Sequence, residues 1–337
     1  MDMIHAVLAA DFLGKPAWAW LAFLGIVLAL LVFDLTLMHG KDRSIGVRES
    51  LVFSAGYVAI GLAFGAWVWW YLGAGSGTEY LTAFLIEKTL AMDNVFVIAM
   101  IFGFFAVPSQ YQHRVLFWGI LGVLVLRAIL IGLGTAIVTQ FSWMLYVFGA
   151  ILIYTGFKML KMVHTPFDIA GNPVLLFLKR HLRVTQQPHG NRFWVKLPAP
   201  DTPQGPPSTR AGSPLVWWAT PLFLALVLIE VVDLIFAVDS VPAVFAVSQD
   251  PFIVYTSNIF AVLGLRALYF ALAAMIERFK YLKYALALLL MFIGGKIIAA
   301  HFIGGIPAWL SLSVTFGLLG GGIGYSLVQT RREAQAA

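Results

Sequence analysis

The sequence predicts an all-α polytopic membrane protein with about nine transmembrane helices. Three observations carry this. Of 337 residues, 61% are apolar and only 11% are charged, whereas a soluble domain carries roughly 25% charged residues. The apolar residues form continuous runs and do not alternate, which argues against a transmembrane barrel. Cysteine is absent, so disulfides, thiolate metal sites and thiol chemistry are excluded. An ordinary soluble enzyme could not bury so much apolar side chain, and disorder needs low hydrophobicity. The net charge of +6 requires no nucleic-acid partner, because cytoplasmic loops of membrane proteins are normally basic.

A helix needs about 20 apolar residues to cross the hydrocarbon core. Nine stretches qualify, at 17–38, 50–72, 80–105, 113–135, 141–163, 216–247, 252–274, 281–301 and 307–328. They divide one membrane domain, 1–337, into spans 1–2 (17–72), a first repeat (80–163), a loop (164–213), a second repeat (216–301) and span 9 (307–328). The first stretch is too long for a cleaved signal peptide, and only Asp2, His5, Asp11 and Lys15 precede it. Basic residues cluster at Lys41, Arg43 and Arg48, at Arg114, at Lys179, Arg180, Arg183, Arg192, Lys196 and Arg210, at Arg278, Lys280 and Lys283, and at Arg331 and Arg332. The alternate loops carry none. The positive-inside rule then places the N-terminus outside and the C-terminus in the cytoplasm of a cell (inner) membrane.

The loop at 164–213 is rich in proline. Leu175–Arg183 is predicted as a basic amphipathic helix on the inner leaflet. Arg192–Leu197 reads as a short strand, and 198–214 as a flexible linker.

The chain also repeats itself. Glu87-Lys-Thr-Leu-Ala-Met-Asp93-Asn94-Val95 matches Asp233-Leu-Ile-Phe-Ala-Val-Asp239-Ser240-Val241. Leu126-Arg127-Ala128 then matches Leu265-Arg266-Ala267, and Gly156-Phe-Lys158 matches Gly294-Gly-Lys296. Spans 3–5 would begin outside and spans 6–8 inside, so the copies are inverted. Inverted repeats are typical of transporters whose site lies near the midplane.

Asp34, Glu87, Asp93, Glu230, Asp233 and Asp239 fall within apolar spans, as do Lys88, Arg127, Lys158, Arg266 and Lys296. A charge at the bilayer centre costs at least ~2.5–3.5 kcal/mol, so such residues mark function or pairing. The plain alternative is a set of ion pairs that lock helices together. Lys158 and Lys296 lie near span ends and could also snorkel. Carboxylates, Asn94 and Ser240 are all oxygen ligands, which suits manganese, magnesium or calcium. Arg127 and Arg266 would balance the carboxylates, or else bind a carboxylate substrate. Pro242 is expected to break span 6 and free a carbonyl near Val238. The two acids of each motif, six residues apart, point about 120° apart on an ideal helix. They would share a cavity only if the helix breaks or the site is wide.

Glu87-Lys-Thr-Leu-Ala-Met-Asp93-Asn94-Val95-Phe96 and Glu230-Val-Val-Asp233-Leu-Ile-Phe-Ala-Val-Asp239-Ser240-Val-Pro242-Ala resemble the two signature motifs of the TerC family. Asn258-Ile-Phe-Ala-Val-Leu-Gly-Leu-Arg266-Ala-Leu-Tyr269-Phe also fits, and the likeness is greatest to the Alx-type branch. It covers about 17–330, with a longer Pro-rich insert at 198–212. The resemblance implies a polytopic inner-membrane protein tied to metal-ion efflux, chiefly of manganese. The motif residues Glu87, Asp93, Asn94, Glu230, Asp233, Asp239 and Ser240 would be the metal site, with Asp34 and Asn258 as accessory positions. Tellurium resistance, the source of the family name, fits poorly, because an acidic oxygen-lined site suits a cation and not tellurite.

The expectation is therefore a secondary transporter that exports a hard divalent cation, by exchange for protons, with no resident cofactor. The alternative is a membrane-embedded partner that helps other proteins insert or acquire metal. No phosphate-binding G-x-x-x-x-G-K-[ST] motif is present, and nothing points to an enzyme.

Overall fold

The computed structural model describes residues 10–38, 47–161, 168–200, 208, 213–273, 281–303 and 308–336. A small hairpin, β1 (Asp11–Phe12) and β2 (Lys15–Pro16), leads into α1 (Ala17–Met38), α2 (Val47–Leu72), α3 (Ala74–Phe104), α4 (Ser109–Gln140) and α5 (Met144–Lys161). A short helix α6 (Pro173–His181) and a second hairpin, β3 (Trp194–Pro198) with β4 (Leu215–Ala219), connect to the second half. That half comprises α7 (Pro221–Phe245), α8 (Pro251–Val262), α9 (Leu265–Ala273), α10 (Leu282–Ile303) and α11 (Ala308–Ala336).

The protein is a polytopic all-α membrane protein. Among the described residues, α1, α2, α4, α5, α7, α10 and α11 are long and apolar enough to cross a membrane. The pair α8 and α9, bent by 40°, makes an eighth span if it is one broken helix. α3 has ample length at 31 residues, but Glu87, Lys88 and Asp93 interrupt its apolarity. Large apolar side chains such as Leu28, Val52, Trp70, Val125 and Leu133 are exposed on the outer helices, the inverse of a soluble surface and suited to lipid.

α3 and α7, the helices that carry the two acidic motifs, both pack into the interior of the bundle, beside the almost wholly buried α8. α3 contributes Ala83, Ile86, Val95 and Ile101, together with Tyr80 and Phe84, to all four buried apolar clusters. α7 supplies Leu222, Leu224, Ala225 and Leu228 to the same core.

The most extensive helix pairing is between α5 and α10. A Cβ on Gly156 would lie 2.6 Å from the Ala287 carbonyl oxygen, and one on Gly294 would lie 2.5 Å from that of Gly149. Only small residues allow backbones this close, and close packing is what holds helices together in lipid.

Two sequence expectations need correction. The helix break falls at Leu263–Gly264 and not at Pro242. Gly264 has φ +79°, and a Cβ there would meet Tyr57 at 2.6 Å, so glycine alone suits the bend. α7 runs unbroken through Pro242 because that residue sits in the last turn, where one missing N–H disturbs little. Residues 216–219, expected as the start of span 6, instead form β4, paired antiparallel with β3; alternating Trp217 out and Trp218 in is a strand pattern. Most of the expected linker 198–214 lies outside the described residues.

Candidate functional site

Seven residues separate Glu87 from Asn94 on α3, and seven separate Asp233 from Ser240 on α7. Two helical turns place each pair on one face. α3 and α7 turn these faces toward each other, and α4 supplies Arg127 between them.

Arg127 is 1% exposed and forms the hub. It ion-pairs with Glu87 through Nη1. Its Nε donates to Asp233 Oδ2 and its Nη2 to Asp233 Oδ1, each at 3.3 Å. Nη1 also donates to Asn258 Oδ1 on α8 at 3.2 Å. Asn94 Nδ2 donates to Asp233 Oδ1 at 2.9 Å. One guanidinium therefore serves two carboxylates from the two different motifs. A buried carboxylate without such a partner would be costly.

Beside this cluster lies a cavity of about 210 Å³ lined by Asn94, Arg127, Thr155, Lys158, Asp239 and Ser240, with Leu90, Met159, Phe236 and Leu290 closing it. Thr155 Oγ1 donates to Asp239 Oδ1 at 2.8 Å. Asn94 Oδ1 and Ser240 Oγ are buried without a hydrogen-bond partner among the described residues. The wall thus offers a carboxylate, an amide oxygen and two hydroxyls, together with one ammonium and one guanidinium. That donor set fits a hard cation.

The structure separates what the motif grouped. Asp233 belongs to the arginine cluster and Asp239 to the cavity, as the angular offset between them requires. Glu230 does neither. It lies against α4, where a Cβ on Gly122 would collide with its carboxylate. Asp93 occupies α3, and its side chain lies outside the described residues. Among the described residues, no three His, Cys, Asp or Glu side chains converge as a metal cluster.

The cations also divide. Lys158 lines the cavity, whereas Lys296 donates to Ser311 Oγ at 3.2 Å on α11. Arg266 ion-pairs with Asp34 of α1, outside both motif copies, and Tyr57 donates to the same carboxylate at 3.0 Å. Lys88 is buried, and its Nζ donates to the carbonyls of Ala261 at 3.0 Å and Leu263 at 3.3 Å. It thereby caps the C-terminal end of α8 at the Gly264 break, where carbonyls lack helical partners. Sequence reasoning assigned no part to Thr155, Tyr57 or this capping role. Thr155 was within reach, since it lies three residues before Lys158 on the same helix face.

Fold and site define a polytopic helical membrane protein with a buried, ion-paired polar centre. The chain matches the integral membrane protein TerC family over residues 72–334 and belongs to that family. An uncharacterized membrane protein of Rickettsia bellii is 47% identical over 311 residues, covering 92% of this chain and 97% of its own length. A Myxococcus xanthus membrane protein, STKORF319, is 42% identical over 318 residues, covering 94% of each chain. A Salmonella typhi protein provisionally named membrane-bound redox modulator Alx is 43% identical over 309 residues, covering 89% of this chain and 91% of its own. No solved structure matches significantly.

Proposed function

We propose that this protein is a secondary transporter, and not an enzyme, that exports a hard divalent cation, manganese(II) foremost, across the cell membrane. The cavity wall of Asp239, Asn94 and Ser240 carries the reading: three oxygen donors, two of them buried without partners, beside the Arg127 ion-pair network. Asp93, next to Asn94, is the second acid proposed for the site. The inverted-repeat reading is supported by the α5–α10 seam. There Gly156 meets Ala287 and Gly149 meets Gly294, and the repeat alignment makes Gly156 equivalent to Gly294. One contact is therefore the image of the other, as a two-fold relation between the halves requires.

Moving one charge against 100 mV costs ~2.3 kcal/mol, so expelling a divalent cation from a negative interior costs about twice that. Carboxylates bind metal or protons in turn, so inward proton movement can drive metal release. The proposed topology keeps the N-terminus outside and the C-terminus inside. A redox role of the kind named for the Salmonella relative would act through a metal or a partner, since this chain has no cysteine. Manganese uptake into inside-out vesicles, compared with magnesium, calcium and zinc, tests the proposal. Background uptake of every cation by vesicles rich in the protein would refute it.

A further inference from the structure

The connection between the two halves has a binding surface of its own, and the argument for it is independent of transport. β3 and β4 pair so that Lys196 lies opposite Trp217, with the ammonium 4.9 Å from the ring centre. An open cavity of about 600 Å³ runs along this hairpin, lined by His189, Arg192, Trp194, Lys196 and Trp217 together with Val195 and Leu197. Among these lining residues none is acidic.

The hairpin sits at the end of a span. Thr220 follows β4 directly, donates to the Arg192 carbonyl at 2.7 Å, and precedes the first residue of α7. Trp194 packs on Phe223 of α7, with ring centres 4.6 Å apart. α6 is tied to the same unit, because the Arg183 carbonyl accepts from Ala219 N at 2.8 Å and Thr185 N donates back to the Ala219 carbonyl at 2.9 Å. Leu175 anchors α6 in the core, while Phe177 is 59% and Trp217 58% exposed. Exposed Trp and Phe beside Arg and Lys, in a unit that runs directly into a membrane helix, are the chemistry of the headgroup layer.

We propose that the β3–β4 hairpin binds the phosphate-bearing headgroup of an anionic phospholipid. Arg192 and Lys196 meet the phosphate, Trp194 and Trp217 sit at the glycerol level, and Phe177 of α6 dips toward the acyl chains. Net positive charge selects an anionic over a zwitterionic lipid, by about 1 kcal/mol for each basic group near the surface.

The test uses the full chain, immobilised in detergent micelles and incubated with phosphatidylglycerol or phosphatidylcholine, with bound lipid then quantified. Phosphatidylglycerol should be retained preferentially, and added salt should weaken its retention alone. The Arg192→Gln, Lys196→Gln double variant should lose about thirtyfold in phosphatidylglycerol affinity, the equivalent of two such basic groups. Trp217→Ala should weaken both lipids. Equal retention of the two lipids by the parent chain overturns the proposal. So does salt-independent binding, or unchanged binding by the double variant. Displacement of the lipid by inorganic phosphate at comparable concentration would reassign the pocket to a free anion and overturn it as well. The salt comparison needs no variant, so a folding defect in the double variant leaves the test intact.

Discussion

Arg127 of α4 reaches both carboxylate oxygens of Asp233 of α7, through two different nitrogens at 3.3 Å each. This paired contact joins one motif copy to the other, because the same guanidinium holds Glu87. Removing it strands two buried carboxylates. Arg127→Ala is expected to cost about 3–5 kcal/mol and to lower folded abundance sharply. Arg127→Lys should rescue little, since an ammonium cannot reproduce the forked geometry. Adding Asp233→Asn to Arg127→Gln should restore part of the abundance, as read by detergent-solubilised yield and thermal stability. No recovery in the double variant would argue against the hub.

Asp239→Asn is expected to abolish cation flux at nearly normal abundance. Its described hydrogen bond, from Thr155, survives the change to an amide oxygen, whereas a charged ligand to a hard cation does not. Asp93→Asn should behave in the same way. Thr155→Val should slow flux by a smaller factor. Vesicle uptake assays scored against protein amount decide this, and full activity in the two Asp variants would remove the site.

Arg266→Ala should reduce abundance, and the rescue should come from Asp34→Asn and not from any motif acid. The reason is the ion pair between Arg266 and Asp34 on α1. A double-mutant cycle with Asp34→Asn, set against one with Glu230→Gln, distinguishes the two.

The α5–α10 seam should tolerate no added bulk. Gly294→Val or Gly156→Val places carbons within about 2.6 Å of a facing carbonyl. Each is expected to cost at least about 1–3 kcal/mol through forced separation of the helices. Gly295, where a Cβ meets nothing within 4 Å, is the matched control. Equal tolerance at Gly294 and Gly295 would contradict the packing.

Metal flux through the reconstituted protein should follow an imposed pH gradient, metal moving toward the more acidic side as protons run down their gradient the other way. The measurement is a paired record of metal and proton movement. Flux indifferent to the gradient would leave a passive pathway.

How much of this was legible in the sequence differs by element. Long apolar runs announce helices because the hydrocarbon core permits little else, so α1, α2, α4 and α10 were readable nearly to their ends. The short strand at Arg192–Leu197 was also readable, but its partner was not, because Leu-Val-Trp-Trp-Ala suits a membrane helix as well as a strand. Arg127 was legible as a charge-balancing residue, since an arginine amid apolar residues needs an acid. Its reach across to Asp233 was not, as pairing between helices depends on their rotation. The division of Asp233 from Asp239 was implicit in six-residue spacing. The seven-residue interval from each first acid to Asn94 or Ser240 was the more informative number. Asp34 carried too little local pattern to reveal that it belongs to Arg266.

The Lys88 ammonium holds the carbonyls of Ala261 and Leu263, and its long stem springs from the same turn of α3 as Glu87. Both bonds share one nitrogen, so they restrain position more than orientation, much as a ball joint does. The segments on either side of Gly264 can swing about that point, while α3 and the end of α8 cannot slide apart without breaking both bonds. Any widening around Asp239 must then be drawn from the opposite wall, where α5 supplies Thr155 and Lys158. Hydrogen exchange should accordingly find the last turn of α8 slow and α5 faster, and Lys88→Met should reverse that order.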